Sequence, residues 1–400
     1  MEMNRRENYN RAYPQNNAGM IMTSLDREHS PFKILAHGDM LKKYLCGERI
    51  NPIHCRVGLT SCCNLQCNFC NFHSQNEKDF YNLFNYNDSI CTNDVLDFLD
   101  DFKENGGLAI TFCGSGECTI HPGYEKISYY ALKKGIKIGL ITNGTMLVKK
   151  EMIECVAQTH TWIRIGLNAG TEDTYEKITH CNGENFTRIL NSIRILKEKA
   201  EIEEFRVGLN FVITLDNYKE IIQATKLARE AEAHYIRFEP EFYSALAHET
   251  IYTKIEEINS MLEKAKKLQT KEFEVSIPKL NRGAMTNTDS VEGDFKVCHY
   301  CNFVTALGAD GSMYPCPQIH LNEKYCMGNA INDGYSKWIQ SKDKENWYRK
   351  NRDRTILCKT CFYRPQNELI EWLVTGELEL DEVLKKYQED VPMTIHKEFV

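Results

Sequence analysis

A chain of 400 residues has room for one large domain and a smaller one. Hydrophobic residues at 42% and charged residues at 26% are ordinary for a globular protein, and no apolar run nears the roughly 18 residues of a membrane span. A net charge of −7, with no lysine/arginine block, argues against nucleic acid as a partner, because such binders rely on neutralising phosphates.

Residues 1–54 read as an N-terminal extension. Its start, "MEMNRRENYNRAYPQNN", is polar and lacks the apolar core of a signal peptide. About its first 20–30 residues are expected to be disordered and the chain to be cytoplasmic. From residue 55 to 240 short β-branched runs alternate with amphipathic stretches. The predicted strands are 56–60, 108–112, 136–142, 162–168, 207–214 and 235–239. Helices are predicted in "DVLDFLDDFKE", "GYEKISYYALKKG", "NFTRILNSIRILKEKA" and "NYKEIIQATKLAREAEA". The first of these places Val95, Leu96, Phe98, Leu99 and Phe102 on one stripe. Such alternation implies an α/β fold with a parallel sheet, either a partial barrel or a doubly wound sheet, with function at the carboxyl ends of the strands.

After residue 240 the alternation stops. Residues 241–294 read as a connector, with "EEINSMLEKAKKLQTKEFE" as one long charged helix and 281–294 as a loop. Residues 295–365 form a second cysteine-rich segment, and 366–400 a helical C-terminus.

The 17 cysteines are the unusual feature. In a reducing compartment, clustered thiols read as metal ligands or catalytic groups rather than disulfides. "SCCNLQCNFCNF" follows the first strand and holds Cys63, Cys67 and Cys70 in a C-x3-C-x2-C triplet. Three thiolates are one fewer than a closed zinc site or a complete 4Fe–4S cluster uses, leaving one metal position for another molecule. A zinc knuckle completed by His73, or unconnected core cysteines, are the alternatives, and Cys62 could replace Cys63 with a longer first spacer.

This triplet, with Phe69 just before its last cysteine, resembles the signature of the radical S-adenosylmethionine (radical SAM) superfamily. The resemblance covers residues 55–240. It implies a partial (β/α)6 TIM-like barrel, a 4Fe–4S cluster on Cys63, Cys67 and Cys70, and S-adenosylmethionine at the open iron with Phe69 near its adenine. "FCGSGECTIHP" ends the second strand and resembles the family's glycine-rich motif, with Cys118 in the place of its proline. Gly114, Ser115, Gly116 and Glu117 are accordingly expected to hold the cofactor, the glycines by close backbone approach and the carboxylate through the amine. "LITNGT" and "IGLNAGTEDTYEKI" resemble later strand ends, making Asn168 a candidate for the ribose or carboxylate of the cofactor, or a plain turn cap.

Further on, Cys298, Gly311 and Cys316 in C-x12-G-x4-C, followed by Cys358 and Cys361, resemble the SPASM/twitch extension of the same superfamily. The next cysteine of a full SPASM module would fall at 367, which is Asn367. One auxiliary 4Fe–4S cluster on Cys298, Cys316, Cys358 and Cys361 is therefore expected, with Cys301 able to replace Cys298 and Cys326 spare. The competing zinc ribbon, from Cys298/Cys301 and Cys358/Cys361, has a spacer far longer than the usual ~15–20 residues.

The resemblance implies reductive cleavage of S-adenosylmethionine to a 5′-deoxyadenosyl radical, an external electron donor such as flavodoxin or ferredoxin, and hydrogen abstraction from a substrate. Oxidation aided by the auxiliary cluster and epimerisation by a thiol are the outcomes weighed, with Cys118 and Cys181 as candidate donors. Residues 1–54 are short beside the leader-binding domains of peptide-modifying relatives. That favours a small molecule such as a sugar or aminocyclitol over peptide maturation. A zinc-stabilised binding protein and an iron–sulfur electron carrier are the readings from other classes.

Overall fold

The computed structural model describes residues 30, 32–72, 79–241, 251, 253–278, 280, 295, 297–351, 361, 363–390 and 394–400. The extension up to residue 29, His73, the loop 281–294 and Cys358 lie outside the described residues. All six strands expected from the sequence are present: β1 (His54–Val57), β2 (Ala109–Phe112), β3 (Lys137–Thr142), β4 (Trp162–Gly166), β5 (Arg206–Ile213) and β6 (Tyr235–Pro240). They pair in parallel, each with the next, as right for strands joined by helical crossovers.

The crossovers are amphipathic. Helix α1 (Gly38–Leu45) precedes the sheet, and α2 (Thr92–Glu104) buries Val95, Phe98, Leu99 and Phe102 at helical spacing. Then come α3 (Tyr124–Lys133), α4 (Lys150–Thr159), α5 (Glu172–Thr179), α6 (Glu184–Lys199) and α7 (Ile221–Glu230). Helix α5, not foreseen, starts where the Thr171 hydroxyl accepts from the Thr174 N–H, an ordinary N-cap.

Two parts of the chain assigned outside the barrel contribute strands to it. The connector is not one long helix. Helix α8 (Ile255–Lys266) buries Ile255, Ile258, Leu262 and Ala265, after which Phe273 and Val275 turn inward at period two and form β7 (Glu274–Ser276) beside β6. From the second cysteine-rich segment, β8 (Val304–Leu307) lies parallel to β1, with His54 opposite Val304 and Val57 opposite Leu307. Strand β9 (Met313–Tyr314) returns antiparallel. The sheet order is β7-β6-β5-β4-β3-β2-β1-β8-β9. The fold is a partial (β/α)6 TIM-like barrel in which added strands cover β6 and β1, so that the short β7 and β9 become the sheet's edges.

The expected C-terminal helix is two, α9 (Arg364–Thr375) and α10 (Leu380–Asp390), when shorter helices of 330–351 are left unlabelled. Left-handed Gly376 ends the first. Leu369, Ile370 and Leu373 of α9 join Leu41, Phe303 and Val304 in a second core outside β1 and β8. The segment 394–400 closes the amino ends of the strands. His54 and Trp162 meet the Phe399 ring edge-on, and His396 bonds the Glu204 carbonyl.

Strand alternation divides the barrel in two. Cys55, Val57, Ile110, Phe112, Ile138, Leu140, Ile163, Ile165, Leu209 and Phe238 face the helices and form the main core. The other parity faces an internal cavity of ≈ 740 Å³. Its floor is aromatic because two strands carry glycine under the rings. A Cβ on Gly139 would lie 2.4 Å from Trp162, and one on Gly208 2.2 Å from Tyr235. Gly208→Ala should therefore push the Tyr235 ring off β5 and destabilise the protein by about 1–3 kcal/mol, read as a lowered urea midpoint. An unchanged midpoint would show that the ring yields without cost.

Candidate active site in the barrel

The cysteine loop leaves β1 at the carboxyl end of the barrel and is tied down on three sides. The Ser61 N–H donates to the Asp88 carbonyl (2.8 Å), and the Glu117 N–H to the Cys62 carbonyl (2.8 Å). The Gln66 and Asn68 N–H groups donate to the Thr179 and Ile178 carbonyls at the C-terminus of α5 (3.1 and 3.0 Å). The Tyr86 hydroxyl donates to the Cys63 carbonyl at 3.0 Å. So held, Cys63, Cys67, Phe69 and Cys70 all line the cavity, and Gly114, Ser115, Gly116 and Glu117 line it from β2.

Burial pushes the Cys63 thiol up to about 11 and Cys67 to about 12, with the neighbouring thiols of the triplet adding like-charge repulsion. Each thiolate is costly beside the others, so a bound cation that replaces the protons relieves both penalties at once. Among the described residues no three His, Cys, Asp or Glu side chains are gathered closely enough to hold a single metal ion.

Gly116 owes its place to the protein itself. A Cβ there would lie 2.1 Å from the Cys62 carbonyl oxygen, so glycine lets the β2 loop press against the cysteine loop. The Ser115 and Ser61 hydroxyls, 2.8 Å apart, join the same two loops. The buried Glu117 carboxylate ties β2 to β3. Its Oε1 accepts from the Thr119 N–H and hydroxyl and from the Thr142 hydroxyl (3.1, 2.6 and 2.7 Å), and its Oε2 from the Asn143 N–H (2.7 Å).

Asn168 is not brought to the cavity. Its backbone is left-handed (φ 56), its side-chain oxygen accepts from the Val212 N–H (2.8 Å), and its carbonyl accepts from Asn217 (2.8 Å). It clamps β4 to β5, which is the turn role. Cys118 is fully buried against the Val57 carbonyl, and Cys181 takes a bond from Asn185, so neither candidate donor lines the cavity. Among the described residues the thiol outside the triplet that does is Cys113, at the end of β2. Sequence reasoning also passed over Asn143, whose side-chain NH2 reaches the Cys63 sulfur (3.9 Å), and Arg56, Arg164 and Arg237 in the lumen. The signal was available: all three arginines lie on the cavity parity of their strands.

In the second cysteine-rich segment, Gly311 (φ 79) makes the β8–β9 turn, and the hairpin carries the chain from Cys298 back to Cys316. The buried Tyr300 phenol feels Cys316 and Cys298, and that of Tyr363 feels Cys316 and Cys361, placing these three thiols around the two rings. The rings stack at 4.2 Å and line the cavity. Cys326 lies elsewhere, near Tyr314. Asn367 is fully buried. Its oxygen accepts from the His299 and Tyr300 N–H groups (2.7 and 2.9 Å), and its NH2 meets the Cys361 sulfur (3.8 Å). At the position where a further cysteine was looked for, an amide joins the two cysteine-bearing segments.

Comparison with known proteins gives a match of residues 57–228 to the radical SAM superfamily model. The chain is 25% identical over 226 residues to Fe-coproporphyrin III synthase of Methanosarcina barkeri, covering 55% of this chain and 53% of that one. It is 28% identical over 152 residues to the subtilosin biosynthesis protein AlbA of Bacillus subtilis, covering 37% and 31%. The chain thus spans about half the length, or less, of these relatives. Among solved structures, Streptococcus suis SuiB bound to precursor peptide SuiA superposes with a TM-score of 0.56 at 16% identity, covering 80% of this chain and 74% of that one. Native anSMEcpe with bound AdoMet gives 0.52 at 16%, covering 84% and 99%. Both likenesses are of fold.

Glu117→Ala should lower stability by about 2–3 kcal/mol in urea unfolding, because it strands the Thr142 hydroxyl and the Asn143 N–H, whereas Glu117→Gln should recover part of the loss. Equal midpoints for wild type and Glu117→Ala would refute the tie between the β2 and β3 loops.

Proposed function

Residues 57–228 being a radical SAM domain, we propose that this chain is an enzyme holding a 4Fe–4S cluster on Cys63, Cys67 and Cys70. S-Adenosylmethionine would lie between Phe69 and the 114–117 segment, above a substrate in the barrel lumen. The observation that carries this reading is that the triplet, the aromatic and the glycine-rich turn all open on one cavity. When bound, the cluster and S-adenosylmethionine together supply a 5′-deoxyadenosyl radical that takes hydrogen from a substrate C–H bond.

The chain's own residues do the rest. The loop bonds position the segment that carries the three sulfurs. Asn143, bonded to Asn64 and reaching Cys63, braces the first of them. Glu117 Oε2 accepts from Asn143 alone of the groups around it, which leaves that oxygen able to accept from an ammonium. The aromatic floor and the 394–400 segment close the far end of the lumen, keeping water from a reactive centre.

The C-terminal cysteine-rich region is consistent with a SPASM/twitch module. An auxiliary 4Fe–4S cluster on Cys298, Cys316, Cys358 and Cys361 belongs to the same proposal, supported by the grouping of three of these thiols around Tyr300 and Tyr363. Both rings line the cavity and neither Cys118 nor Cys181 does, which favours oxidation of the substrate over return of hydrogen by either thiol. A cavity of ≈ 740 Å³ suits a small molecule. Arginines in its lining suit a sugar that carries a negative group better than the ammonium of an aminocyclitol. Peptide modification is the second reading, favoured by the fold shared with SuiB, whose structure was solved with a precursor peptide.

Anaerobic reconstitution should load about eight irons per chain, and about four once Cys316 and Cys361 are both replaced by Ala. Replacing Cys63, Cys67 and Cys70 by Ala should abolish 5′-deoxyadenosine formation, followed by chromatography under dithionite. Persistent formation in that triple variant would refute the site.

A further inference from the structure

The geometry points to Arg56 and Arg164 as a built oxyanion site in the floor of the cavity, taking a carboxylate or phosphate group of the substrate. This rests on the preceding function only in supposing that the same cavity receives the substrate.

Arg56 lies midway along β1 and Arg164 midway along β4, both facing the lumen below the cysteine loop. Among the described residues Arg56 has no carboxylate within ion-pair reach, and its buried Nε has no hydrogen-bond partner. The groups that bear on it are the Tyr363 and Tyr300 phenols and the Cys113 thiol. Burial raises all three, so they stay neutral near pH 7 and none offsets the charge.

Arg164 is held by aromatic side chains. Its guanidinium lies 5.6 Å from the Trp162 ring centroid and 5.9 Å from that of Tyr235, and its Nε donates to the Tyr235 hydroxyl at 3.4 Å. Cation–π contact and that bond hold the side chain and leave other guanidinium N–H groups for a ligand. The carboxylate that bears on Arg164, Glu239, is bonded to Arg237 at 2.6 Å. Glu241, higher on the same side, is pushed up to about 7 by burial and offers at most part of a charge.

The two guanidinium groups also act on each other, and both act on Cys113, so they share one space. Both line one cavity, and two buried cations there are costly unless an anion neutralises them. A planar or tetrahedral oxyanion can take N–H donors from both sides, which is what a guanidinium pair selects. A substrate anchored this way presents its other end towards Cys63, Cys67 and Cys70.

The test is calorimetric titration of the reconstituted full-length protein with inorganic phosphate, succinate and, as an uncharged probe, glycerol, at low ionic strength. One of the two anions should bind saturably and glycerol should not. Arg56→Gln and Arg164→Gln should each weaken the anion at least tenfold, and Arg56→Lys, which keeps the charge without the fork, less. Tighter phosphate identifies a phosphorylated substrate, and tighter succinate a carboxylate. Circular dichroism and iron content check that each variant folds. Absence of saturable binding of either anion to wild type, or equal affinity in wild type and both glutamine variants, overturns the site. Formation of 5′-deoxyadenosine by wild type without substrate separates the two readings. Its absence with anion binding intact removes the radical function and leaves the site, and its presence without anion binding does the reverse.

Discussion

The bond from the Glu117 N–H to the Cys62 carbonyl, made possible by the missing side chain of Gly116, sets where the cysteine loop sits over the barrel. Everything at the mouth takes its position from that contact between two loops. With it in place, Ser61 meets Ser115, the Glu117 side chain reaches the β3 loop, and Asn143 reaches the cysteine loop. A side chain at position 116 would separate the loops by more than these short bonds can span. The three thiols thus sit on a loop positioned by backbone contacts, and each must lose its proton to ligate a metal.

Below the mouth, the barrel departs from the usual packed interior of its fold class. Aliphatic side chains of the core parity bind the helices to the sheet, while the lumen parity carries arginines, a thiol and aromatic rings. Stability and chemistry are thus separated by the two-residue repeat of the strands. Cations are kept in the interior at the expense of packing, and aromatic faces under Arg164 repay part of that through cation–π contact.

The six barrel strands could be read from the sequence because each is a β-branched run between turn residues, and the triplet because four cysteines in ten positions have few structural explanations. What escaped was set by long-range pairing. Glu274–Ser276 has only three residues and Val304–Leu307 lies beyond the strand–helix alternation, and both are strands because β6 and β1 offer them an edge. Asn168 was a candidate ligand because "IGLNAGTEDTYEKI" resembles a strand end of the superfamily, with a turn cap as the alternative. Its left-handed backbone, which turns the side chain onto β5, has no mark in the sequence. The glycines of "GSGE" were expected to serve a ligand, and Gly116 also makes room for a neighbouring loop, which the motif alone does not reveal. The arginines could have been found by asking which parity of each strand a polar side chain occupies.

Pairing of β8 with β1 has a consequence for how the chain is made. The first strand of the barrel receives its second neighbour only after residues 304–307 have left the ribosome. Until then one flank of His54–Val57 is bare, at the stage when a nascent chain is most prone to stick to others. Contacts this distant along the polypeptide also slow folding, because a large loop must close before they form. Maturation of the thiol-rich mouth would then follow completion of the second half of the protein, and a truncated chain would be poorly prepared to accept iron.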